Sequence, residues 1–256
     1  MNKGRLFLKI IEHLQKDAFP RFKKWHSKSA WREMTHNNDK VNLINVKTAV
    51  DVIRDHVELF CKEKIKKNRT GGKKFCLLRK VIEKRSKPED RIERLLVASV
   101  DNLYNRFNFL SGLTPEQFNN QTKHMTIDLV EARKENEVDA FIELKASDSE
   151  ENPLSALCEV IMYFLLFKEV RERIGELPTK LSKRFRLIVL APKQYFECFG
   201  RNQDRWLHKY IASSIREHLG TKCEFAEINL TKEHFINASA CLKKTANAYQ
   251  KMEIIS

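Results

Sequence analysis

Two short segments, Thr126-Ile-Asp-Leu-Val-Glu131 and Ala140-Phe-Ile-Glu-Leu-Lys145, constrain the fold of this 256-residue chain more than any other feature. Each is rich in β-formers and apolar at alternate positions. The polar, turn-prone stretch between them, Ala132 to Asp139, makes them strands of a hairpin or near neighbours. Glu143 and Lys145 are two apart on a strand, so both side chains leave the same face. With the turn centred between Glu135 and Asn136, Asp128 lies directly across from Glu143, their Cβ atoms about 4.5–5.5 Å apart. Two carboxylates at that spacing in otherwise apolar strands are costly unless a cation lies between them. Asp139 shares the parity of Glu143 but lies four strand residues, about 13 Å, away. That is too far to share an ion whose ligands sit at about 2.0–2.6 Å. The same residues also fit an amphipathic hairpin with a cross-strand Glu–Lys salt bridge, which is worth little energetically.

Asp128, followed fifteen residues later by Glu143-Leu-Lys145, each within a hydrophobic strand, resembles the PD-(D/E)xK nuclease superfamily, the restriction-endonuclease-like fold. The likeness covers about residues 91–192. It implies an α/β protein with an αβββαβ core, a mixed sheet flanked by helices. It also implies that Asp128 and Glu143 bind Mg²⁺, with Mn²⁺ a substitute, that Leu144 adds its main-chain carbonyl, and that Lys145 positions the attacking water.

After the second strand, Asn152-Pro153 reads as an N-cap followed by proline at the first helical position. Leu154, Leu157, Ile161, Phe164 and Leu165 then repeat at helical spacing. Glu159 and Tyr163 are four apart on this helix. The exonuclease-like branch of the superfamily carries Gln-x-x-x-Tyr at this place, and here Glu159 stands where that branch has Gln. The resemblance adds Glu159 to the site, bonding a water or the lysine; the sequence alone equally allows a helix-surface acid beside a core tyrosine. Upstream, Pro88-Glu-Asp opens another helix. The family commonly places a Glu on the helix before the first strand, and Glu93 is the matching residue. Glu89, one turn earlier, competes for that role, and a first-turn acid is also favoured by the helix dipole alone.

Charge is uneven along the chain. Residues 1–90 hold 24 Lys+Arg against 11 Asp+Glu, a net of +13 out of the chain's +14. Runs such as Arg21-Phe-Lys-Lys-Trp25, the Lys62–Arg69 stretch and Lys73-Lys74 interleave cations with apolar residues, which suits helices that bury one face and offer the other to phosphates. Gly71-Gly72 supplies a turn whose amides can approach a phosphate. The longest apolar run, Val160–Phe167, is far shorter than the roughly 20 residues of a membrane span. The amino-terminal apolar stretch is interrupted by Lys9 and has no small-residue cleavage site, which argues against a signal peptide. Six scattered cysteines without metal-ligand spacing read as reduced thiols of an intracellular, cytoplasmic protein. The eight histidines form no zinc pattern.

The expected layout is a basic, mainly helical region over 1–90, then a nuclease-like domain over 91–256 with a helical carboxyl-terminal extension. Helices are expected near 3–16, 46–66 and 73–85, with Trp25 and Trp31 in a less regular stretch. The core then reads as helix 90–106, a stretch to about 122 without a clear strand, strands 124–131 and 139–146, and helix 153–172. Strand 185–191, helix 203–219, strand 223–230 and a helical tail complete it. The implied activity is Mg²⁺-dependent hydrolysis of phosphodiester bonds in nucleic acid, DNA above all, with a homodimer compatible with cutting two strands. Asp128, Glu143 and Lys145 are expected to matter strongly to turnover and weakly to the fold. The alternatives are a non-catalytic nucleic-acid-binding protein on the same fold and a basic helical interaction protein.

Overall fold

The computed structural model describes residues 3–36, 45–64, 88–104, 107–108, 126–133, 137–174, 180–200, 205–230 and 241–256. Its centre is a six-stranded mixed sheet in the order β1-β4-β5-β6-β7-β8. Strand β4 (Leu129–Glu131) runs antiparallel to both its neighbours, β1 (Leu103–Tyr104) and β5 (Glu137–Leu144). β5, β6 (Lys180–Pro192) and β7 (Lys222–Ile228) are parallel, and β8 (Glu253–Ile254) closes the far edge antiparallel to β7. A separate two-stranded ladder joins β2 (Phe107–Asn108) to β3 (Thr126–Ile127).

The pairing Leu129↔Ile142, Val130↔Phe141 and Glu131↔Ala140 is the register the sequence pattern requires. One step further along the same register sets Asp128 opposite Glu143. The first expected strand is interrupted there: Asp128 is a bend between β3 and β4.

Helix α5 (Pro153–Ile174) follows β5 and is buried on every side from Pro153 to Phe167. A helix apolar all round must be covered all round, and two layers do this. On one side lies the sheet. On the other lie α1 (Lys3–His13), α2 (Lys28–His36) and α3 (Val46–Lys64), whose apolar faces share one continuous core with α5 and with α7 (Arg205–Leu219). The opposite face of the sheet is covered by α4 (Pro88–Ser99) and by α8 (Leu242–Gln250), giving a second core of Leu95, Leu96, Ile142, Leu144, Ile188 and their neighbours. The short α6 (Lys193–Cys198) follows β6. The amino-terminal helices thus have no core separate from that of the sheet.

Several expectations shift. The helix near 90–106 ends at Ser99, because Asn102 pins the chain to β4: its carbonyl accepts from the Ala132 amide (2.9 Å) and its side chain donates to Glu131 (3.0 Å). Leu103–Tyr104 then becomes the edge strand that the sequence did not reveal. β6 begins at Lys180, because its polar first residues still pair with Glu137 and Val138 of β5. Trp31 lies within α2, and its indole donates to the Phe199 carbonyl at 2.8 Å. The expected helix 73–85, the Gly71-Gly72 turn and Lys73-Lys74 lie outside the described residues. Among the described residues no helix is long and apolar enough to cross a membrane, and the five described cysteines are free thiols.

Asn152 joins the amino-terminal layer to the sheet. Its Oδ1 caps α5 through the Ser155 amide (2.9 Å), as the sequence predicts. Its Nδ2 donates to the carbonyls of Trp25 (2.6 Å) and Ser27 (3.2 Å), and its own amide donates to the His26 carbonyl (3.0 Å). Asn152→Ala removes the cap and strands buried carbonyls, so a loss of about 2–4 kcal/mol is expected in urea denaturation. Asn152→Asp keeps the cap but loses the donors and is expected to fall between the two.

Candidate active site

The carboxyl-terminal end of β5 carries the chemistry. Phe141, Glu143 and Lys145 alternate onto the face covered by α5, while Ile142 and Leu144 join the opposite core. Lys145 extends β5 by one bond, its amide donating to the Leu190 carbonyl of β6 at 3.0 Å. Lys145 is 4% exposed, and its ammonium meets three carboxylates: Glu151 at 2.7 Å, Glu143 at 3.0 Å and Glu159 at 3.5 Å. Asp128, half-buried, accepts the Leu144 amide on Oδ2 at 3.0 Å, so it is tied to the backbone between Glu143 and Lys145.

Each partner arrives from a different element. Glu143 comes from β5, Glu159 from the first turns of α5, and Glu151 from the turn that precedes the Asn152 cap. Glu151 is itself bridged to Ser27 of the amino-terminal layer. Tyr195, at the start of α6 and fully buried, donates its hydroxyl to the Glu151 carbonyl at 2.8 Å. From α4, Glu89 reaches the Ala146 amide at 3.5 Å and feels the charges of Lys145 and Asp128.

The electrostatics follow from burial. Desolvation pushes the Lys145 ammonium down, but Glu143, Glu159, Glu151 and Asp128 more than offset it and hold it well above the usual lysine value of 10.5. It is therefore a fixed positive charge at any physiological pH. Burial lifts the Glu89 carboxyl above its ordinary range; Asp128 and Glu151 push the same way, against Lys145 and the Ala146 amide. Burial likewise raises the Tyr195 phenol well above its usual value, so it remains a donor.

Of the residues singled out in the sequence, the structure brings Asp128, Glu143, Leu144, Lys145 and Glu159 to one place. Glu93 is half-buried on α4, and Glu89, the other candidate acid of that helix, accepts from the Ala146 amide at the strand end. Tyr163 is buried in the core one turn beyond Glu159. Sequence reasoning missed Glu151 and Tyr195. Glu151 had one signal, its place next to the cap residue of the helix that carries Glu159.

Five carboxylates thus surround one ammonium, an excess of negative charge in a largely dry site. The donors are all oxygens, which suits Mg²⁺ or Mn²⁺ rather than zinc. Two side chains and one main-chain carbonyl would make up the protein's share. No group of three or more His, Cys, Asp or Glu side chains converges as a metal cluster among the described residues. The chain matches no protein-family model, no curated protein and no solved structure.

The buried network revises the expectation that Lys145 matters little to the fold. Lys145→Ala removes the buried ammonium that Glu143 and Glu159 both meet and should cost about 3–5 kcal/mol at neutral pH. Because the folded ammonium titrates above its unfolded value, its contribution is complete below pH 10.5 and is lost as pH rises through the higher folded value. Urea midpoints measured against pH should therefore show a base-side fall in the wild type that the variant lacks.

Proposed function

We propose that the chain is a metal-dependent phosphodiesterase acting on DNA, a member of the PD-(D/E)xK class. The observation that carries this reading is the register at the carboxyl end of a parallel strand: Asp128 falls opposite Glu143 and accepts the Leu144 amide, and Lys145 stands two residues on from Glu143. The elements α4, β1, β4, β5, α5 and β6, with β2 and β3 between β1 and β4 and with β5 antiparallel to β4 and parallel to β6, are compatible with the αβββαβ core of that class. The carboxyl ends of parallel strands are also where open α/β sheets place ligands.

On this reading Asp128, Glu143 and the Leu144 carbonyl would hold Mg²⁺ or Mn²⁺, which supplies an activated water and offsets charge at the phosphate. Lys145 orients the attacking water or neutralises charge that develops on the phosphoryl oxygens, and it needs no proton transfer to do so. Glu151 and Glu159 fix the ammonium from two sides, and Asn152 with the Trp25–Ser27 backbone fixes Glu151 in turn. The exposed cations Arg21, Lys23 and Lys24 sit beside that backbone, in position to meet phosphates next to the site.

A second reading rests on Lys145 itself. An ammonium already met by three carboxylates can serve the fold alone, leaving a nucleic-acid-binding protein that does not cut. Cleavage of linear duplex, circular duplex and single-stranded DNA with Mg²⁺, Mn²⁺ or EDTA separates the two. The expected result is metal-dependent cutting that falls about 100-fold or more in Asp128→Asn, with DNA affinity retained. Cutting in EDTA, or an Asp128→Asn variant as active as the wild type, would refute the assignment. Intact DNA that stays bound would favour the second reading.

A further inference from the structure

At the amino-terminal end of the parallel strands the charge has the opposite sign. A hollow of about 520 Å³ is lined by Arg133, Lys183, Arg184, Arg186, Arg216 and Lys222, against a single lining acid, Asp139. It adjoins a second hollow of about 680 Å³, shares Lys183, Phe185 and Gly220 with it, and gains Lys168 and Arg171 against one further acid, Glu172, there. Together they form one track from α5 across the start of β6 and β7 to the end of β4.

The floor of this track is built. Arg186 is held between two buried carboxylates, Glu131 at 2.8 Å and Glu224 at 3.1 Å, and Glu224 also takes Lys222. Glu131 is fixed in turn by Asn102 and by the Tyr249 hydroxyl. Lys168 lies over the Phe164 ring, 5.4 Å from its centroid. Arg133 pairs with Asp139 at 3.4 Å. The rim differs: Lys183, Arg184 and Arg216 are exposed and have no ion-pair partner among the described residues. Six cations thus face three carboxylates, those of Asp139, Glu131 and Glu224, and three positive charges are left over around one concavity. Such a surplus raises the local concentration of anions and favours their binding.

We propose that this track binds the sugar–phosphate backbone of a nucleic acid strand, at a place distinct from the carboxylate cluster. The arrangement argues for a row of phosphates rather than one. The cations are spread over four strands and helices and two joined hollows instead of converging on a point, and Lys183 to Arg186 alone spans about 10 Å of strand. Long exposed Lys and Arg side chains contact backbone phosphates without reading bases, so the binding is not sequence-selective. Arg186 lies in register with Ala140, three residues before Glu143, and Lys183 and Arg184 lie earlier still on β6, so this surface sits at the opposite strand end from the carboxylate cluster and can be tested apart from cleavage.

The test is oligonucleotide binding by fluorescence anisotropy over a salt series, with the full chain in EDTA so that no cutting intervenes. The variants are Lys183→Gln/Arg184→Gln/Arg216→Gln and, as a control near the carboxylate cluster, Arg21→Gln/Lys23→Gln/Lys24→Gln. The groove variant should bind about tenfold or more weaker at fixed salt, and its log–log salt slope should be shallower by about 2–3, since each lost phosphate contact contributes roughly 0.7–0.9. Its substituted side chains are exposed, so its melting temperature should match the wild type. If it does not, Arg216→Gln alone should lower the slope by about 1. An unchanged affinity and slope would overturn the proposal. So would groove-dependent binding of inorganic pyrophosphate with oligonucleotide affinity untouched, which would assign the site to a small phosphorylated ligand. Loss of cleavage without loss of this binding bears on the carboxylate cluster alone.

Discussion

The ammonium of Lys145 is the interaction on which the rest of the site depends. It lies within ion-pair reach of Glu143, Glu151 and Glu159, and those acids belong to β5, to the turn after it and to α5. Burying an ion costs several kcal/mol, and only close, well-paired geometry offsets that cost. The network therefore fixes how α5 sits on the sheet. Through Glu151 and Asn152 it also fixes where the Trp25–Ser27 backbone crosses the strand end. The basic amino-terminal layer is thereby a wall of the site as well as the cover of α5.

The two ends of the parallel strands carry opposite charge. Carboxylates gather where β5 ends, and cations gather where β6 and β7 begin. The residues after position 90 are nearly neutral in sum, so composition hides this separation. On the proposed reading, the acidic end would take the metal and the basic end the phosphates.

Much of this was legible in the sequence, for identifiable reasons. Alternation and a turn centre fix a hairpin register, and a one-residue slip would turn every side chain to the wrong face, so Asp128 opposite Glu143 could be read directly. Asn152-Pro153 marks the start of α5 because capping is local chemistry. The choice between Glu89 and Glu93 could not be read, because it depends on how α4 is rotated against the sheet, and both acids satisfy the helix pattern. Glu151 was hidden in a loop whose path is set by Trp25 and Ser27, more than a hundred residues away in sequence. The edge strand Leu103–Tyr104 is too short to show a period. The basic groove is invisible in sequence because its cations come from five separate segments.

The most direct test of the central proposal, that Asp128 and Glu143 hold a divalent metal beside Lys145, is a calorimetric titration of Mn²⁺. The wild-type chain, Asp128→Asn and Glu143→Gln would be titrated side by side. The account predicts saturable binding by the wild type that is lost or strongly weakened in both variants while each remains folded. Wild-type protein that takes up no metal, or variants that bind it as the wild type does, would contradict the account.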